Sequence, residues 1–134
     1  MHSSIKILRS MSILFIKWFF RVLPAAYMVA IWIMSSMPAN ALVELPVLSV
    51  DRFIKESLHL VEFAILYGLL VLAMLTTEKF TPTASIICAL FAGMYGILDE
   101  VHQSFFPYRS ATIIDVVKDW IGVGVCWYLV RKAF

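Results

Sequence analysis

Four apolar stretches dominate this chain, approximately Phe20 to Ser36, Leu58 to Thr76, Pro82 to Leu98 and Thr112 to Val130. Each is close to the roughly 20 residues that a helix needs to cross about 30 Å of hydrocarbon. Hydrocarbon offers no partner to a backbone N–H or C=O, so only helices and closed barrels satisfy themselves there. A chain of 134 residues holds too few strands for a barrel. The expectation is therefore all-α: a four-helix transmembrane bundle with short loops, preceded by an N-terminal amphipathic segment, as one membrane domain over residues 1–134. Composition agrees, since 62% of residues are hydrophobic and 15% charged. The mean hydropathy of +0.89 is more apolar than a small water-soluble domain can hide.

The loops constrain the arrangement further. Residues Thr77 to Thr81 are little more than a turn, which makes spans two and three antiparallel neighbours. No internal repeat or low-complexity tract is present. Before the first span, Lys6, Ser10, Lys17 and Arg21 fall on one side of a helix, with Ile5, Leu8, Phe15 and Phe19 elsewhere on it. Such a lead-in suits the inner membrane surface. The rival is a cleaved signal peptide, because "SSMPANA" has the small residues of a cleavage site.

Lys6, Arg9, Lys17, Arg21, Lys79, Arg131 and Lys132 mark one side of the membrane. On the other, Arg52, Lys55 and Arg109 are balanced by Glu44, Asp51, Glu56, Asp99 and Glu100. Cationic loops stay inside. A multi-pass protein of the cytoplasmic membrane with both termini cytoplasmic is the result, and "DEVHQSFFPYR", residues 99 to 109, then faces outward. A net charge of +2 with no basic run gives no reason to invoke nucleic acid. Cys88 and Cys126 lie in mid-span, without a disulfide or redox pattern.

Polar residues gather near that outer face. Lys55, His59 and Glu62 stack on one helical side at the start of span two. Gly96, Asp99 and Gln103 share a side of span three if its helix continues through the loop. Asp115, Asp119 and Gly122 share one of span four, beside Lys118. Ionisable groups at membrane depth are costly, so they turn inward and pair or line a wet cavity. Gly93, Gly96, Gly122 and Gly124 give the helices room to approach.

Two classes of activity fit these residues. In an envelope enzyme, Arg109 would grip an anionic group, Asp99 or Glu100 would act as general base, and His59, oriented by Glu62, would protonate the leaving group, with Asp115 also catalytic. In a binding protein, Arg109 and Lys55, with Gln103 and Asp119, would meet a lipid or lipid-linked envelope molecule. Phe105, Phe106 and Tyr108 would anchor the loop at the interface. His59, Glu62, Asp99, Asp115 and Asp119 include metal-ligand types but match no ligand motif, and no cofactor is specified. A third reading, a proton or small-solute conduit, is weakened by the sparse polar residues in the inner halves of the spans, and the runner-up to the whole is a plain four-helix scaffold whose polar residues only fix packing and register. His102 reads as a surface or interfacial residue of the loop and not a ligand, and the tryptophans read as packing or interface aromatics.

Four segments in order, "SSMP" at 35–38, "KESLHLVEFAIL" at 55–66, "DEVHQSFFPYR" at 99–109 and "DVVKDWIGVG" at 115–124, resemble the VanZ-like family, named for a teicoplanin-resistance protein. Together they cover nearly the whole chain. The resemblance implies a small integral membrane protein with an outward polar site, linked in some members to glycopeptide and lipoglycopeptide tolerance, and it brings no established reaction. Asp119 stands where the family usually has Asn, and Glu56 where a basic residue is frequent. Both changes add negative charge.

Overall fold

A computed structural model describes residues 1–37, 48–107 and 112–134, with side chains for all of these except 48–56 and 59. Four helices follow one another: α1 (His2–Ser35), α2 (Leu48–Leu75), α3 (Pro82–Gln103) and α4 (Ile113–Ala133). No strand occurs among the described residues.

Local chemistry sets several of the boundaries. Thr81 caps α3 by accepting from the Ala84 N–H at 3.0 Å, and Pro82 opens the helix where its missing N–H costs nothing. Thr112 caps α4, accepting from the Asp115 N–H at 3.2 Å. Between α2 and α3, Glu78 turns the chain in the left-handed region at φ 58°.

Three boundaries differ from the hydropathy reading. α1 runs unbroken from His2, so the amphipathic lead-in and the first span form one helix of 34 residues, about 51 Å long at 1.5 Å per residue. Pro24 lies inside it, and the turn there lacks one backbone donor. α2 starts at Leu48, ahead of its apolar part. α3 continues through Asp99–Gln103, so the first half of "DEVHQSFFPYR" is helix and not loop.

Among the described residues, α1 and α3 are long and apolar enough to cross a membrane. The apolar part of α2, Leu60–Leu75, is shorter, about 24 Å. In α4, Asp115, Lys118 and Asp119 at one end and Arg131 and Lys132 at the other interrupt the apolar run.

The helices stand in a two-by-two array. α2 packs on all three others, most extensively on α4, and α1 meets α2 and α3 but not α4 among the described residues. Phe63, Leu66, Tyr67 and Val71 of α2 form the core with Ile31, Cys88, Ala92 and Val123. Two glycines permit the closest approaches. A Cβ on Gly122 would collide with the Leu60 carbonyl of α2, and one on Gly93 would lie 2.6 Å from the Trp120 indole. Gly124, expected to do the same, has nothing within 4 Å of the position a Cβ would take. Tyrosines tie the interior: Tyr27 donates to the Glu62 carbonyl at 2.8 Å, Tyr95 to the Met28 carbonyl at 2.7 Å, and Tyr67 shares a 2.6 Å hydrogen bond with Ser85.

Contacts between helix ends fix the direction of each rod. Arg21 of α1 reaches Thr76 just after α2, and Phe80 stacks edge-on with Phe134 at 5.5 Å. At the other end, Ser35 closing α1 meets the last turns of α3, which meet the cap of α4. The chain therefore runs up, down, up and down, with both termini at one end.

Candidate functional site

The end of the bundle away from the termini holds the acids. α3 presents Asp99 and Gln103 one turn apart, with Glu100 beside them, and all three are buried. Asp99 is 0% exposed, and both of its oxygens receive donors. The Ser35 hydroxyl at the end of α1 donates to Oδ1, and the Gln103 amide donates to Oδ2 at 3.0 Å. The same amide lies 3.3 Å from the Ser35 hydroxyl, which closes a three-membered ring of contacts between α1 and α3. A carboxylate whose two oxygens accept from different donors, one on a neighbouring helix and one on its own, is held in one orientation.

The acidic tier continues into α4. Asp119 is also 0% exposed, and its carboxylate lies over Gly96, where a Cβ would sit 3.1 Å from Oδ2. Glu100 accepts from the Thr112 N–H at 3.3 Å, so one acid of α3 holds the first residue before α4 in place. Gly96, Asp99 and Gln103 thus form one face of a helix that does continue, with Asp119 against its lower part.

Beside this tier stands an aromatic clamp. The His102 ring stacks on Trp32 of α1 with centroids 3.7 Å apart and planes 9° from parallel, and Phe106 meets it edge-on at 5.1 Å. Its Nε2 lies 3.4 Å from the Ser36 hydroxyl. Its Nδ1 is buried with no hydrogen-bond partner among the described residues. The loop assignment for His102 is therefore corrected: it is on α3, half-buried and held by two aromatic rings. The sequence signal lay in the i, i+3 and i+4 spacing of Asp99, His102 and Gln103, legible only once α3 is known to continue.

The matching family model, VanZ/LLP1, covers residues 3–134. The chain belongs to the VanZ/LLP1 family. No curated protein and no solved structure matches it. Membership makes it a membrane protein of a family linked to glycopeptide resistance.

Three of the VanZ-like segments meet at this end of the fold. "SSMP" supplies Ser35 and Ser36, "DEVHQ" supplies Asp99 to Gln103, and "DVVKDWIGVG" supplies Asp119. Of the other residues singled out, Glu62 is half-buried on α2, and Asp115 and Lys118 are half-buried on the first turns of α4. Lys55 and His59 belong to α2, but their side chains lie outside the described residues, as does Arg109. Among the described residues, no three of His, Cys, Asp and Glu are grouped so as to hold a metal ion. Sequence reasoning did not select Ser35, Trp32 or His102 as members of the site. A serine closing an apolar run looks like any helix end, and only tertiary packing shows that it donates to a buried acid 64 residues away.

Proposed function

We propose that this VanZ/LLP1 protein is a multi-pass protein of the cytoplasmic membrane, one domain over residues 1–134, with both termini cytoplasmic. Its acidic end lies at the outer face and recognises or acts on an anionic lipid or lipid-linked envelope intermediate. The observation that carries this reading is Asp99, fully buried yet held by donors from two helices. Insertion scales put an acid at the centre of a span at roughly 2.5–3.5 kcal/mol and ionisable groups within spans mark functional sites by default, which applies with a smaller cost to Asp99 in the last turns of α3. The cations that would take an anionic group, Lys55 and Arg109, flank this end in the sequence, and His59 is the proton carrier among the site residues. Asp99 or Glu100 then serves as general base, Glu62 and Asp115 assist, and Gln103 and Asp119 contribute to binding. The family's link to glycopeptide and lipoglycopeptide tolerance, teicoplanin included, fits a protein working where those drugs meet the envelope.

One observation favours a second reading, a non-catalytic scaffold. Both oxygens of Asp99 already have protein donors, which is what a carboxylate used only for packing requires. To separate the two, purified protein in nanodiscs is incubated with a bacterial membrane lipid extract, and headgroups are followed by mass spectrometry alongside Asp99→Asn and His59→Ala. Turnover lost in both variants supports catalysis, and capture without turnover supports recognition. No capture, no turnover and unchanged teicoplanin susceptibility of cells carrying Asp99→Asn would leave the scaffold.

A further inference from the structure

The opposite end of the bundle carries a feature that the acidic site does not use. Arg21 fastens α1 to the end of α2: its Nε donates to the Thr76 hydroxyl at 3.0 Å and its Nη2 to the Thr76 carbonyl at 3.1 Å. Next to this clasp a cavity of about 370 Å³ opens between the two helices. Its walls are Ile13, Ile16 and Phe20 of α1 and Leu72 and Leu75 of α2, with Lys17 and Thr76 as its polar lining. That volume is within the range of small-ligand sites, roughly 300–1,000 Å³.

Charge identifies the occupant. Among the described residues no acid pairs with Lys17 or Arg21. Arg131 and Lys132 in the last turn of α4, beside Phe134, and Lys79 of the α2–α3 turn, beside Phe80, stand at this end with one acidic side chain of that turn, Glu78. Apolar walls beside uncompensated cations suit an amphiphile with a negative head. A zwitterionic lipid brings its own cation, a small soluble anion leaves the apolar walls uncovered, and a second copy of the chain would bring the same positive surface. We propose that the groove between α1 and α2 at the terminal end binds one anionic phospholipid, an acyl chain against Ile13, Ile16, Phe20, Leu72 and Leu75 and the phosphate on Lys17. This site is independent of the outward reading of the acidic end, and its test does not depend on orientation.

The test is native mass spectrometry of the whole chain released from detergent, titrated with dioleoyl phosphatidylglycerol or dioleoyl phosphatidylcholine. One phosphatidylglycerol per chain should be retained about tenfold better than phosphatidylcholine. Lys17→Gln should weaken its retention about fivefold, the share of one cation near an anionic surface. Leu75→Trp, which fills the groove, should abolish it, with Leu72→Trp as the replacement if that variant does not fold. Lys132→Gln, outside the groove, should leave it unchanged. Equal retention of the two lipids by the unaltered protein would overturn the proposal, as would binding indifferent to both Lys17→Gln and the groove-filling variant, or a second copy of the chain retained in place of lipid.

Discussion

Removing the Ser35 hydroxyl tests the charge state and the worth of the buried acid together. In Ser35→Ala, Asp99 keeps the Gln103 amide at 3.0 Å but loses the hydroxyl that α1 donates to it. Two magnitudes compete. Hydrogen bonds between transmembrane helices average about 0.6 kcal/mol, because the unpacked helices find other partners in the membrane. A hydrogen bond to a charged group is worth about 1.5–3 kcal/mol, since the charge has nowhere else to turn once buried. Asp99 is fully buried, so the larger figure applies and Ser35→Ala should cost about 2 kcal/mol. For a chain of this size that is a fall in melting temperature of roughly 8 °C. Asp99→Asn keeps the shape and lets the Ser35 hydroxyl reverse its role, so its cost should stay below about 1 kcal/mol. The double variant Ser35→Ala/Asp99→Asn should then be less damaged than the sum of the two, because the charge that needed the hydroxyl is gone. Thermal unfolding of the four proteins in one detergent measures all three quantities. A Ser35→Ala cost under about 0.5 kcal/mol, with additive singles, would refute a charged Asp99 that depends on α1.

Other outcomes follow from the packing. Gly122→Val should destabilise by at least about 2 kcal/mol, since its side chain would enter the Leu60 carbonyl. Gly124→Val, in open space, should change the melting temperature little. Glu78→Gly should stabilise by about 0.5–1 kcal/mol, by removing a left-handed non-glycine residue at the modest entropy cost of glycine. Glu78→Gln, which removes only the charge, should do neither. Thr112→Ala should cost about 1 kcal/mol through the lost cap of α4, read as the same melting shift.

The helix count and the shared side of Gly96, Asp99 and Gln103 were legible in the sequence, because apolar run length and 3.6-residue spacing are properties of local chain. The helix ends were not. Hydropathy marks where a helix becomes polar, while the backbone of α3 continues to Gln103 and that of α2 begins at Leu48. The shared face of Asp99 and Gln103 was predictable on the condition that α3 continued. Their third partner, Ser35, was not, since nothing in "SSMP" distinguishes a donor from a helix end. Glycine patterns gave the right principle at Gly93 and Gly122 and the wrong one at Gly124, because a small residue signals room, and only the neighbouring helix decides whether it is used. The His102 clamp escaped for the same reason: stacking on Trp32 joins residues 70 positions apart in the chain, as their numbers show.

The reach of the Ser35–Asp99 contact also sets an order of events during synthesis. The two residues are 64 positions apart, so at about 5–20 residues per second the ribosome needs roughly 3–13 s between them. α1 with its hydroxyl is made first, and the acid that accepts from it emerges later on α3. Until the two meet, the acid has the Gln103 amide of its own helix but not the hydroxyl of α1, so the first and third helices are joined here only after both have been made.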